Sequence, residues 1–282
     1  MTRTITTIRD VRAEVAAARA DGARVALVPT MGALHAGHLA LVARAREVAD
    51  LVVVSLFVNP LQFGPKEDFA RYPRDLAGDT ALLDAAGADL LFAPPADELL
   101  PDGRTQIQVH AGPIGNTLEG RIRPGHFDGM LTIVLKLLHV VGPDAVLFGQ
   151  KDAQQVFLVQ RMLRDLDVPV SVEVVDTVRE PDGLALSSRN RYLAPDERRL
   201  ARAVPAALDA AESSSDRDPD TMTAAAQGAL AGEDGADLEY LAVVDPSTFR
   251  PVDDGYRGRA LVLVAARVGG TRLIDNRFVH LG

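Results

Sequence analysis

The sequence contains no cysteine. Disulfide frameworks, thiolate metal sites and cysteine nucleophiles are excluded by that. The compartment stays open, because the absence fits a reducing cytosol without proving one. Lysine is almost as scarce: it occurs at Lys66, Lys136 and Lys151, and arginine supplies the other 27 of the 30 basic residues. A coding bias toward arginine is the plain explanation, but a lysine that survives such a bias marks a place where a compact ammonium is wanted. Basic residues are outnumbered by 39 acidic ones, for a formal net charge of −9. A broad phosphate-tracking surface is a poor match to that balance, and any polyanion site has to be local. Long apolar runs are also missing: none approaches the roughly 20 residues of a spanning helix. Met1 to Asp10 alternates Thr and Arg with Ile and holds no signal-peptide core. The expectation is a soluble, cytoplasmic protein with neither a nucleic-acid nor a membrane partner.

What is present is a chain of 282 residues, 47% apolar, long enough for a large core and for one or two domains. Up to about residue 176, helical and strand-like runs alternate. Helical spacing covers Ile8 to Ala20, Gly37 to Ala49, Leu76 to Ala86, Met130 to Val141 and Gln154 to Leu166. Short apolar, β-branched runs cover Val25 to Val28, Leu51 to Val58, Asp89 to Ala93, Ala145 to Phe148 and Val170 to Val175. This alternation predicts an α/β domain over 1–176, a Rossmann-like parallel sheet with helices on both faces. Beyond it, an Ala/Arg-rich stretch from Pro195 to Ala211 reads as one long helix, and Ser213 to Pro219 has the composition of a mobile loop. Leu238 to Val244, Leu261 to Val268 and Arg272 to Val279 read as antiparallel strands, the last two joined by Gly269-Gly270. A smaller α+β domain is expected over 177–282.

The first apolar strand runs into Pro29-Thr30-Met31-Gly32-Ala33-Leu34-His35-Ala36-Gly37-His38 and then a helix. In open α/β sheets ligands bind beyond the carboxyl ends of strands, where a helix N-terminus offers N–H groups and a positive dipole end to phosphate. Gly32 and Gly37 allow close backbone approach. Two imidazoles three residues apart add donors that can meet triphosphate oxygens and stabilise charge on a leaving pyrophosphate. A zinc pair is one alternative, weakened by the absence of His-Glu-x-x-His and of an acidic third ligand nearby. Capping or packing histidines are the other.

This segment resembles the His-x-Gly-His signature of the adenylyl-transferring α/β superfamily that includes class I aminoacyl-tRNA synthetases and many nucleotidylyltransferases. The longer string from Pro29 to His38 is similar to one member group, the pantoate–β-alanine ligases. Further motifs follow in the same order. Phe57-Val58-Asn59-Pro60-Leu61-Gln62-Phe63 and Tyr72-Pro73-Arg74 resemble family segments, as do Leu118-Glu119-Gly120 and Arg123-Pro124-Gly125-His126-Phe127. The amides of Asn59 and Gln62 can hydrogen-bond a small hydroxy acid. For Asn59 alone, capping the turn before Pro60 is an equal alternative. Arg123 and His126 read as anion contacts or as loop and interface residues, and neither is assigned a catalytic role.

Gly149-Gln150-Lys151-Asp152 ends another strand. There Gly149 lets a nucleotide approach, Lys151 places a charge on phosphate, and Asp152 accepts from ribose hydroxyls. Leu186-Ser187-Ser188-Arg189-Asn190 is similar to the family's Met-Ser-Ser-Arg-Asn, whose hydroxyls and guanidinium close over a triphosphate. The resemblance spans roughly residues 24 to 193. It implies ATP contacts from Met31 through His38, from Gly149 through Asp152, and from Val178 (through its backbone) and Leu186 through Arg189. It also implies a pantoate site of Asn59, Gln62 and Gln155, with Tyr72 on a lid-like loop as a further candidate. His35, His38, Lys151, Ser187, Ser188 and Arg189 become the catalytic candidates, His38 as a proton donor. Gln150 stands where the family usually has Glu, Ala153 where an aromatic is common, and Leu186 where Met is common. Lys151 and Lys136 fall in matching segments, while Lys66 reads as ordinary surface charge.

The activity implied is condensation of (R)-pantoate with β-alanine at the expense of ATP, through a pantoyl adenylate, with Mg²⁺ and in a homodimer. No protein ligand to the metal is assigned. The rivals are a nucleotidylyltransferase acting on a phosphorylated metabolite, which should want basic residues where this chain has Asn59, Gln62 and Gln155, and a non-catalytic ATP-binding module. A class I aminoacyl-tRNA synthetase fits less well, given the negative net charge.

Overall fold

The computed structural model describes residues 1–65, 67–231 and 235–282. The reading of Lys66 as surface charge therefore lies outside the described residues. Six parallel strands form the first sheet: β1 (Arg3–Ile5), β2 (Val25–Thr30), β3 (Leu51–Leu56), β4 (Leu90–Phe92), β5 (Ala145–Gly149) and β6 (Ser171–Val175), in the order β1-β4-β3-β2-β5-β6. Crossover helices make parallel pairing possible. They are α1 (Ile8–Ala20), α2 (Ala36–Val48), α3 (Leu76–Ala86), the short α4 (Ala96–Leu99) and α5 (Glu119–Ile122), α6 (His126–Val141) and α7 (Ala153–Asp165).

Successive side chains of a strand face opposite ways, and β2 shows why helices are needed on both faces. Ala26 and Val28 pack with Leu41, Val42 and Ala45 of α2 and with Leu83 of α3, while Val25 and Leu27 are equally buried on the other face, the side where α6 contacts the strand. Strand order reverses beside β2. The chain moves one way through β3 and β4 and returns to place β5 on the other flank, so the carboxyl ends of β2 and β5 flank the topological switch point.

The chain separates into two compact units, 1–149 with 158–175 and 150–157 with 176–282. The sequence-based boundary at 176/177 kept 150–157 in the first domain. Side chains explain the difference: Asn276 donates to the carbonyls of Gln150 and Lys151, each at 2.9 Å, and Phe157 packs on Phe249.

The second unit carries an antiparallel sheet of β7 (Ala236–Val244), β8 (Gly258–Val268) and β9 (Thr271–Leu281). Val268 pairs with Thr271, so Gly269-Gly270 is the two-residue hairpin loop expected. Alternate β8 residues Ala260, Val262, Val264, Ala266 and Val268 pack against α8 (Pro195–Ala201), α9 (Ala203–Ser213) and α10 (Pro219–Ala231). The predicted single helix over 195–211 is two helices. Pro205 lacks an N–H and its ring crowds the carbonyl four residues back, at Ala201, where α8 ends. The short β1 and the helix α10 are additions to the sequence reading. Asp218 caps α10, accepting from the N–H of Thr221 at 2.8 Å with Pro219 as the first helical residue. Residues 214–218 are thus the turn between two helices.

Leu208 is fully buried among these helices and strands. Leu208→Ala is expected to cost about 3 kcal/mol of stability, read as a lowered midpoint of chemical unfolding by circular dichroism.

Candidate active site

Between the end of β2 and the start of α2 the backbone makes a turn that few residues tolerate. Gly32 has φ +84° and Ala33 φ +51°, both in the left-handed region. A Cβ on Gly32 would lie 3.0 Å from Oδ2 of Asp79 and 3.2 Å from the Leu56 side chain, so glycine is required for space as well as for φ. The turn is held from α3: the Ala33 N–H donates to Asp79 Oδ2 at 3.0 Å and the Leu34 N–H to Oδ1 at 2.8 Å. Asp79 is buried. It lies in the first turn of α3. On the β2 side, Thr30 Oγ1 donates to the Ser55 carbonyl and accepts from Gly32 N–H.

The two histidines then form a capping box at the start of α2. His35 Nδ1 accepts from the Gly37 N–H at 3.1 Å, and His38 Nδ1 accepts from the His35 N–H at 3.3 Å. Their ring centroids lie 4.1 Å apart. Because each Nδ1 is an acceptor, the neutral ring carries its proton on Nε2, the edge remote from the capped backbone. Capping and anion donation, alternatives at the sequence level, thus fall to different nitrogens of the same rings. The amides of Ala33 and Leu34, expected to meet phosphate, end on Asp79 instead, so the ring edges and the N-terminal dipole of α2 are what this turn offers an anion.

Beyond β3, Asn59 caps the turn Pro60–Gln62, with Oδ1 accepting from the Leu61 N–H at 3.0 Å. Its Nδ2 donates to Gln62 Oε1 at 2.9 Å and to the Gly129 carbonyl at 3.0 Å. Gly129 permits this approach: a Cβ there would collide with the Leu61 carbonyl oxygen. Asn59 is buried, so it orients Gln62, whose own Nε2 points at the weak acceptor Met31 Sδ, 3.2 Å away. His126 Nδ1 donates to the Gln62 carbonyl at 2.9 Å, and its Nε2 accepts from Arg123 Nη1 at 3.0 Å. Arg123 in turn grips Glu67 with Nε and Nη2 at 2.7 and 2.8 Å. Arg123 and His126 therefore serve as a brace behind Gln62. Burial first, and then the Arg123 charge, push the His126 pKa from 6.5 down to about 4, so the ring is neutral near pH 7. Tyr72 is buried, its ring edge-on to Phe63 with centroids 5.9 Å apart.

In the second unit, Gln150–Asp152 form a 3₁₀ turn directly after β5. Lys151 is partly exposed, with Nζ 3.8 Å from Asp152 Oδ1. Gln155 is half-buried in the first turn of α7. The segment 178–186 is a hairpin: the Val178 carbonyl accepts from the Leu186 N–H, and Glu180 N–H donates to the Leu184 carbonyl. It is braced by Arg179, which grips buried Asp275 at 2.6 and 3.0 Å, and by Arg198, which grips Glu180 at 2.9 and 2.8 Å. The hydrogen bonds from Arg198, and further from Asn190, hold the Glu180 carboxyl below the usual carboxylate range despite partial burial. Ser187 caps the 3₁₀ turn Ser188–Tyr192, with Oγ accepting from the Arg189 N–H at 3.3 Å.

The sequence profile of the pantoate–β-alanine ligases matches residues 3–278. The chain belongs to the pantoate–β-alanine ligase family. It is 53% identical over 277 residues to the pantothenate synthetase of Leifsonia xyli subsp. xyli, covering 98% of this chain and 96% of that one. It is 51% identical over 280 residues to the pantothenate synthetase of Agrobacterium fabrum, covering 98% and 96%. Among solved structures, the pantothenate synthetase of Thermus thermophilus superposes with a TM-score of 0.92 at 48% identity over 98% of this chain and 99% of that one. The Francisella tularensis pantoate–β-alanine ligase, solved in complex with β-γ ATP and β-alanine, gives 0.80 at 33% identity over 98% and 97%.

In this chain Gln150 has a local partner. Asn276 uses Nδ2 on two backbone carbonyls, which turns its Oδ1 toward position 150, where Gln150 Nε2 donates at 3.1 Å. Asp79, Asp275 and Asn276 are the site-building residues that motif reading passed over. Asp79 had a signal: a charged residue four positions before Leu83, on the apolar stripe of a helix, marks a carboxylate bound for burial. For Mg²⁺ no protein cage is offered: among the described residues no group of three or more His, Asp or Glu is placed to hold a metal ion.

The depressed His126 pKa carries a pH signature. The unfolded ring takes up a proton below about 6.5 and the folded one only near 4. The stability it contributes is full above pH 6.5 and is lost as pH falls toward 4. Between pH 7 and 4.5, wild type is expected to lose roughly 2 to 3 kcal/mol more than His126→Asn, measured by urea unfolding at each pH.

Proposed function

We propose that this chain condenses (R)-pantoate with β-alanine to give pantothenate, AMP and pyrophosphate. A pantoate carboxylate oxygen bonds to the α-phosphorus of ATP as the bond to pyrophosphate breaks, giving pantoyl adenylate. The β-alanine amine nitrogen then bonds to the acyl carbon, AMP leaves, and the nitrogen gives up a proton. The first step needs charge neutralisation more than a base, because its nucleophile is already ionised at neutral pH.

The imidazole pair on α2 carries the proposal: two Nε2–H donors fixed by the backbone at a helix N-terminus, in a chain of this ligase family. His35 and His38 would stabilise charge on the phosphates, with His38 donating a proton to the leaving group. Lys151, Ser187, Ser188 and Arg189 would add to the same neutralisation. Asn59, Gln62 and Gln155 would hold pantoate, Asn59 also orienting Gln62, and Tyr72 would sit on a loop that closes over the substrates. Met31 through His38, Gly149 through Asp152, Leu186 through Arg189 and, through its backbone, Val178 would contact ATP, with the Ala33 and Leu34 amides kept by Asp79. Arriving with the triphosphate, Mg²⁺ would supply further charge neutralisation. A homodimer, on the strength of the family resemblance, and a cytoplasmic location, on the sequence composition, complete the proposal. In the described residues no helix is long and apolar enough to cross a membrane.

Pyrophosphate release should require pantoate together with ATP, and AMP release should require β-alanine as well. A stable adenylylated phosphate product would point to a nucleotidylyltransferase, and ATP binding without turnover to a sensing module. His38→Ala and Lys151→Ala are each expected to slow single-turnover pyrophosphate release by about 10²- to 10³-fold. His38→Ala also removes a capping acceptor worth about 1 kcal/mol, so its thermal unfolding is measured in parallel. Near-wild-type rates in either folded variant would remove that residue from the mechanism.

A further inference from the structure

The turn that presents the imidazole pair is not held by the sheet alone. Gly32 and Ala33 both sit in left-handed backbone conformations, and Ala33 gains nothing from glycine's freedom to be there. Something has to over-determine the conformation. The two hydrogen bonds that pin the Ala33 and Leu34 amides both end on Asp79, a carboxylate 46 residues beyond Ala33 on α3. That side chain is only 3% exposed. A buried carboxylate is costly unless its oxygens are satisfied, and here each oxygen receives a backbone N–H. The arrangement works in both directions: the amides hold the carboxylate charge in the interior, and the carboxylate holds the turn.

Three consequences meet at this point. Two amides at the mouth of the β2–α2 connection, which in an open turn would make an anion-binding nest, are already occupied by an anion of the protein itself. The chain therefore enters His35 with a set direction, and the His35 N–H is aimed at His38 Nδ1. The capping box that keeps both Nδ1 atoms as acceptors, and so leaves the proton on Nε2, follows from that entry.

We propose that Asp79 is a positioning residue for adenylation: by binding the amides of Ala33 and Leu34 it sets the tautomer and aim of His35 and His38. The proposal rests on the reading given under Proposed function. Asp79 touches neither substrate nor reacting atoms in this role and acts through the two rings. The asymmetric replacement Asp79→Asn keeps the volume and one acceptor oxygen, while its amide N–H₂ faces a backbone N–H that it cannot accept. Asp79→Ala removes both acceptors. Gly32→Ala leaves the carboxylate intact and puts a Cβ 3.0 Å from its Oδ2, displacing it by a second route.

The experiment uses the full-length protein and measures single-turnover pyrophosphate release with ATP and pantoate, beside ¹⁵N NMR of the histidine side chains and thermal unfolding. Wild type must first show pantoate-dependent pyrophosphate release and an Nε2–H signature for His35 and His38. If the release is absent, the functional reading fails, while the tautomer measurement still tests the geometry. If the release is present, Asp79→Asn and Gly32→Ala are expected to lower kcat by roughly 10²-fold, the scale set by a misplacement of about 1 Å, with KM for pantoate within about twofold. Both should lose the uniform Nε2–H signature while remaining folded at the assay temperature, and Asp79→Ala should lose more than Asp79→Asn. A purely structural role would lower the unfolding temperature and leave kcat per folded molecule and the tautomers unchanged. That result, or wild-type tautomers in both variants, would overturn the proposal. If Asp79→Ala does not fold, Asp79→Asn and Gly32→Ala decide the matter.

Discussion

Two backbone N–H groups ending on one buried carboxylate are the contact on which the turn carrying the two histidines depends. The turn from β2 into α2 uses left-handed residues at positions 32 and 33, a conformation that costs free energy in any peptide and persists only where its surroundings insist on it. Asp79 supplies that insistence from a different helix. Once the turn is set, the histidines have little choice. Each closes one arm of a capping box through Nδ1, which leaves the ring proton on Nε2. The functional polarity of the two rings is thus inherited from backbone geometry, without a side-chain partner having to select the tautomer.

The same logic recurs elsewhere: polar side chains that look poised for substrate are themselves held by polar side chains facing inward. Gln62 is aimed by Asn59 through its side chain and by His126 through its carbonyl, and His126 is kept neutral by burial and by the adjacent guanidinium of Arg123. In the second unit, the hairpin that leads to Ser187 is clamped by Arg179 on Asp275 and by Arg198 on Glu180. Asn276 fastens the turn that carries Lys151. The braces from His126, Arg179, Arg198 and Asn276 join segments separated in sequence. Such constraints suit a reaction whose barrier is lowered by fixed dipoles and charges, because groups already in place need not reorganise as charge develops.

Legibility followed the range of the interaction that decides each feature. The helices over 8–20 and 76–86 were readable to the residue, because apolar spacing and Asp or Thr caps are local. The hairpin at Gly269-Gly270 was readable for the same reason. The break at Arg202 was also local, written in Pro205, although the Ala/Arg-rich composition masked it. By contrast, β1 has three residues and no pattern of its own, and is a strand because β4 lies beside it. Among site residues, those that stand in contiguous motifs were named from the sequence. Asp79, Asp275 and Asn276 were given no role, since each acts on a segment tens of residues away.

What the sequence by itself determined is the alternation of helix and strand, the placing of two motifs at strand ends, and the kinds of side chain offered to an anion: imidazoles, a rare lysine, hydroxyls and a guanidinium. Tertiary structure decided how those groups are aimed. It matched the Ala33 and Leu34 amides to Asp79, set Asn59 against Gln62, and paired Gln150 with Asn276. The physical reason is that a motif records residue types and spacing along the chain. The direction in which a donor points is set by hydrogen bonds and close contacts that only folding brings within reach.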